Sequence, residues 1–89
     1  MAIPGLGISC LTNPAANVAA IKFNLPHNGF PLLRIVDNLG NEVMSMPHNY
    51  YDAGDHEIHW DASTAPSGIY YCEIRANGES RMARIIVVN

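Results

Sequence analysis

Two histidines stand close together in this chain: His56 and His59 bracket Glu57 and Ile58 in the run HEIH. Imidazoles so near each other invite a metal reading. On a strand, however, side chains alternate between faces, and the odd separation sends His56 and His59 to opposite sides, where they cannot share one ion. The remaining histidines, His27 and His48, are isolated. Asp52, Asp55 and Asp61 offer hard oxygen ligands but lack the dense spacing of a calcium loop, so they read as a solvated acidic face. Candidate nucleophiles Ser45, Ser67 and Cys72 have no base placed by local spacing, and nucleophile, base and orienting group must meet within hydrogen-bond reach. No catalytic residue, cofactor or metal site is expected, and so small a domain leaves little room for an enclosed pocket.

Trp60 is the other residue with chemical potential, because an indole stacks on sugar rings. It is the chain's single tryptophan and lies in the stretch HWDASTAPSGIYYCEI, residues 59–74. His56, Ile58 and Trp60 alternate on one face, and Tyr70, Cys72 and Ile74 alternate on another, which is the pattern of two half-buried strands joined by a loop. Trp60 therefore reads as core, where it supplies buried area that few other residues can. Asp61 is placed to bond loop NH groups, Pro66 to stiffen the corner, and Gly68 to free the backbone entering the next strand beside Tyr70.

The elements that hold these residues are short. No stretch shows the helical recurrence of apolar residues over several turns. Strands are expected over 9–11, 18–25, 31–37, 42–46, 54–60, 68–76 and 80–88. Their number and spacing predict an all-β fold, an immunoglobulin-like β-sandwich of about seven antiparallel strands. Asp37-Asn38-Leu39-Gly40 and Asn77-Gly78 carry the chemistry of hairpin turns, an Asx side chain that binds backbone NH groups and residues that tolerate positive φ. Counting alternation outward from Leu11, taken as inward, turns Cys10 outward while Cys72 faces the core. Opposed directions argue for two free thiols rather than a bridge.

Composition limits the partners. The chain has 89 residues, 48% of them hydrophobic and 15% charged, and a formal net charge of −3. That is enough apolar content for one thin core and too little charge for disorder. The acidic balance offers no footprint for nucleic acid or an anionic membrane. The longest apolar run, Ile85 to Val88, is far short of the roughly 20 residues a membrane span needs, so no membrane insertion is expected. The opening MAIPGLGIS lacks the basic start and apolar core of a signal peptide, and the chain reads as a piece of something larger. Residues 1–7 are expected to be linker and 8–89 the domain.

The succession of motifs resembles a known family. Asn13-Pro14, then Ile21, Phe23 and Leu25-Pro26, then VDNLGNEV (36–43), GDHEIHWD (54–61), PSGIYY (66–71), Asn77-Gly78 and finally Arg84 before Ile-Ile-Val-Val follow the order seen in type IX secretion system C-terminal sorting domains, type A. The chain is also similar to the immunoglobulin-like domain of the flagellar hook-capping protein. The basic residue followed by a terminal aliphatic strand favours the sorting family, and the short link between Trp-Asp and Pro-Ser-Gly disfavours the hook-capping one.

The resemblance implies a non-catalytic module, carried behind an N-terminal cargo domain and read by the secretion translocon and sortase-like components. It implies passage through the periplasm to the cell surface or the exterior. It also implies recognition through the last strand, by Arg81, Arg84, Ile85, Ile86, Val87 and Val88, with pairing to exposed backbone. Cleavage is then expected in or near the segment before Ser9. An alternative from another class is a structural or carbohydrate-binding accessory domain of a secreted hydrolase. It requires an exposed aromatic platform, for which Tyr50, Tyr51 and Tyr71 are the candidates.

Overall fold

Seven strands account for most of the chain in a computed structural model that describes residues 5–46 and 48–89; the expected linker residues 1–4 lie outside it. The strands are β1 (Gly7–Cys10), β2 (Val18–Leu25), β3 (Leu32–Asp37), β4 (Glu42–Ser45), β5 (Gly54–Asp61), β6 (Gly68–Ala76) and β7 (Glu79–Val87). They form two sheets, ordered β1-β2-β5 and β4-β3-β6-β7, with every strand pair antiparallel. The β-sandwich expected from the spacing is the observed architecture. Strands β2 and β6 coincide with their expected spans, and the others differ by one or two residues at their ends.

Alternation explains the core. Ala19, Ile21, Phe23 and Leu25 of β2 point inward and are buried, as are Leu33 and Ile35 of β3, Tyr70, Cys72 and Ile74 of β6, and Ala83, Ile85 and Val87 of β7. Each such large side chain contributes roughly 1.5–3 kcal/mol by leaving water. Trp60, 5% exposed, sits in the same cluster. Its ring meets Tyr70 across the sandwich.

The turns follow their local chemistry. Asp37 Oδ1 accepts the amides of Leu39 and Asn41, both at 2.9 Å, and Gly40 adopts φ +86°. These bonds hold the Asp37 carboxyl below its ordinary range, the Asn41 amide contributing most. At the next hairpin Asn77 and Gly78 take φ +53° and +78°, the pair of positive angles that a two-residue turn needs to match strand twist. Ala76 and Glu79 face each other across it.

One parity expectation is corrected. Ile8 and Cys10 of β1 lie opposite Phe23 and Ile21 and pack against the core, whereas Leu11 is half exposed. Cys10 thus faces inward and Leu11 outward. The Leu11 amide still bonds the Ala20 carbonyl at 2.8 Å, so alternation runs through Leu11, and it was the inward assignment of this apolar residue that inverted Cys10. Both cysteines are free thiols. Leu6, ahead of β1, is buried in the core cluster, and Asn24 Nδ2 donates to the Gly5 carbonyl at 2.5 Å.

Candidate recognition strand

β7 is built by the Asn77-Gly78 hairpin, which folds it back on β6 and leaves it at the edge of the four-stranded sheet. One row of its backbone groups bonds β6; the other faces away. In the C-terminal half that outer row is occupied. Ala15 donates its amide to the Ile86 carbonyl at 2.7 Å and accepts the Val88 amide at 2.9 Å. The Asn13 carboxamide extends the pairing: Nδ2 donates to the Arg84 carbonyl at 3.1 Å, and Oδ1 accepts the Ile86 amide at 2.9 Å. A side-chain amide has the donor and acceptor of a peptide unit, so Asn13 acts here as one rung of a neighbouring strand.

The residues expected to be read by a partner are distributed unevenly. Arg81, Arg84 and Val88 are exposed, Ile86 is half-buried, and Ile85 and Val87 are in the core. Arg81 and Arg84, three apart, leave the strand on opposite faces. Arg84 belongs to the row Val36, Tyr71, Arg84 and Arg81 to the row Leu33, Ile74, Arg81. The side chain of Arg81 also donates from Nη1 to the Ser80 carbonyl at 2.8 Å.

The corner between β5 and β6 receives the end of the chain after β7. Asn89 Nδ2 donates to the carbonyls of Ala62 and Ala65 at 2.8 and 2.7 Å. Its amide donates to Ser67 Oγ at 2.9 Å, and that hydroxyl donates to the Asn89 carbonyl at 3.0 Å. Asp61 Oδ1 accepts the Ser63 amide at 3.1 Å, and the Tyr70 hydroxyl donates to the Pro66 carbonyl at 2.6 Å. The Ser63 contacts hold the Asp61 carboxyl below its ordinary range. Gly68 has no left-handed φ, and a Cβ there would meet nothing within 4 Å, so its flexibility is not what the corner needs.

Electrostatics divide the two sheets. The strands of the larger sheet carry all four arginines against Asp37, Glu42, Glu73 and Glu79, while those of the smaller one carry Lys22 against Asp55, Glu57 and Asp61. On the outer face of the larger sheet Glu73 is buried between Arg34 Nε at 2.7 Å and Arg75 Nε at 3.3 Å. The Arg34 hydrogen bond, opposed by burial and reinforced by Arg75, holds the Glu73 carboxyl below the usual glutamate range.

The other candidates do not assemble a reactive site. His56 lies half-buried beside Phe23 and Tyr51, with Nε2 2.7 Å from the Asp52 carbonyl; His59 is exposed and 2.9 Å from Glu57 Oε2. Asp55 pairs with Lys22 at 3.6 Å. Among the described residues, no three His, Cys, Asp or Glu side chains gather in a metal-holding group. Ser67 is engaged by Asn89, Ser45 is exposed on β4, and burial pushes the Cys72 thiol up to about 12. Of the aromatic platform candidates, Tyr51 packs on Phe23 and Tyr71 is half-buried. Tyr50 is exposed and stands edge to face with Phe30, centroids 5.6 Å apart, and Phe30 in turn lines an open cleft of about 370 Å³.

Sequence reasoning missed Asn13 and Ala15 as partners of β7. Asn13-Pro14 was visible only as part of a motif order, and nothing local indicates a bond to a residue 71 positions away. Compared with protein-family models, residues 12–88 match the one described as "Secretion system C-terminal sorting domain". A comparison with curated proteins finds no match.

Proposed function

Because this chain belongs to the secretion system C-terminal sorting domain family, we propose that β7 is the element the secretion machinery reads. The domain is a sorting signal for type IX secretion, directing its cargo toward the cell surface or the exterior. Its mechanism is recognition. The folded module transits the periplasm behind its cargo and presents β7 to the translocon; a sortase-like enzyme then acts upstream of the domain.

The observation that supports this reading most directly is the position of β7 at a sheet edge with Arg81 and Arg84 exposed. An edge strand offers backbone groups to a receptor without unfolding the rest of the sandwich. Ile85 and Val87 contribute differently, by anchoring the strand in the core, and of the six residues expected to be read Arg81, Arg84, Ile86 and Val88 are the accessible ones.

Fusing residues 1–89 behind a periplasmic reporter in a host with a type IX system is expected to send the reporter outside. Reversing charge with Arg81→Glu and Arg84→Glu is expected to strand it in the periplasm. Both side chains are exposed, so the melting curve should be unchanged. A folded wild-type fusion that stays periplasmic overturns the sorting role of this chain.

A further inference from the structure

The outer edge of β7 is divided in two. The Arg84 carbonyl, both backbone groups of Ile86 and the Val88 amide are taken by Asn13 and Ala15. These belong to even-numbered residues, and the pairing with β6 runs without a register break. The amide and carbonyl of Met82 and the amide of Arg84 therefore point the same way, outward. Among the described residues none of the three has a backbone partner beyond the sheet. The Ser80 carbonyl is met by the guanidinium of Arg81. What stays open is a window from Ser80 to Arg84, with Met82 at its centre, 57% exposed.

The window has a definite charge. A strand laid along it passes between Arg84 on one face of the sheet and Arg81 on the other, and the five residues Ser-Arg-Met-Ala-Arg include no acid. Pairing with a second copy of this chain about Met82 would bring the arginines of both copies into one strip with Glu79 only at its ends, an arrangement that cross-strand repulsion disfavours. An acidic partner meets the opposite situation. It is repelled by the smaller sheet, where Asp55, Glu57 and Asp61 outnumber Lys22, and attracted to this edge.

We infer that Ser80–Arg84 is a docking edge for an extended segment of another polypeptide that carries carboxylates, and that Asn13 and Ala15 confine docking to this window by sealing the rest of the strand. The inference rests on the sorting role and specifies the chemistry of the partner. Backbone pairing at Met82 supplies affinity, and the two guanidinium groups, one on each face, select for acidic side chains at neighbouring positions.

Met82→Pro tests it. Proline removes an amide hydrogen that faces away from β6, so no bond within the sheet is lost, yet strand addition at the window is blocked. In the reporter fusion, Leu39→Ala, a change at an exposed turn residue outside the window, is expected to export like the wild type. Met82→Pro is expected to reduce export by about tenfold or more, the scale of one to two lost hydrogen bonds. Replacing both Arg81 and Arg84 by Gln is expected to reduce export similarly, while Lys at both positions restores most of it. If Met82→Pro melts like the parent and exports equally, the docking edge is wrong while the sorting role stands; if the folded wild-type fusion fails to export, both fall. Equal export by the Gln and Lys variants overturns the acidic partner. Amide exchange in the unaltered domain gives a measure independent of any variant: Met82 and Arg84 amides should exchange fast, and those of Ile86 and Val88 slowly. Slow exchange at Met82 in the isolated domain means the edge is already closed and removes the window.

Discussion

The rings of Trp60 and Tyr70 meet edge to face across the sandwich, with centroids 5.3 Å apart and planes inclined at 64°. Trp60 comes from β5 in one sheet and Tyr70 from β6 in the other, so the contact clamps the two layers where the corner after Asp61 crosses between them. The Tyr70 hydroxyl, donating to the Pro66 carbonyl, fixes the corner to the same pair. A residue of the corner and a strand of each sheet are thereby joined through two aromatic side chains.

Trp60→Ala is expected to destabilise the domain by about 3 to 5 kcal/mol, as large aromatic truncations in cores do. Against a total of about 5 to 15 kcal/mol for a typical domain, that approaches loss of folding. Denaturant melts measure it, and a loss under about 1 kcal/mol would place the indole outside the core.

Asn13→Ala removes both bonds between the carboxamide and β7 at once. The expected cost is about 1 to 3 kcal/mol, since the Ile86 amide and Arg84 carbonyl lose partners at the same point. Hydrogen exchange at the Ile86 amide should accelerate by more than at residues of β3, which pairs with β4 and β6. Uniform acceleration would mean a global rather than a local effect.

Glu73 makes stability depend on acid. Its folded carboxyl titrates below the ordinary glutamate range because Arg34 and, after it, Arg75 bind the charged form. As pH falls the unfolded chain takes up the proton first. The contribution is therefore complete above about pH 5, where an unfolded glutamate is ionised, and fades as pH drops through the folded value. Glu73→Gln should be less stable than the parent near neutrality, with a difference that shrinks below about pH 4. A constant difference between the two from neutrality to acid would show that Arg34 and Arg75 do not favour the ionised form.

The two thiols should differ in reactivity. Burial, and then the neighbouring Cys10, pushes the Cys72 thiol up to about 12, so thiolate is scarce at pH 8. A thiol reagent at that pH is expected to label half-buried Cys10 in the native domain and Cys72 only after unfolding without reductant. An unlabelled species lighter by a pair of hydrogens would reveal a disulfide, and fast native labelling of Cys72 would contradict its burial.

Much of this architecture was legible in the residues because its causes are local. The period of two in Ala19, Ile21, Phe23 and Leu25 can point only one way once a core exists, and it yielded the span of β2 residue for residue. Asn77-Gly78 tolerates the positive φ of a tight hairpin, which no neighbour has to supply. Trp60 was assigned to the core from the parity it shares with Ile58, because period-two alternation within one strand needs no information about the rest of the chain.

Tertiary structure decided what depends on which way an apolar residue faces and on what crosses a strand. Leu11 is apolar yet points to solvent, so counting from it as an inward residue inverted Cys10. The burial of Leu6 and Ala15 reflects how the segments on either side of β1 lie against the sandwich, which no periodicity within them encodes. Most of all, the accessible part of β7 could not be read from β7. Its outer backbone groups are chemically alike from Ser80 to Val88, and they are divided into sealed and open halves by Asn13 and Ala15, residues far away in sequence whose amides arrive at that edge only when the two sheets pack.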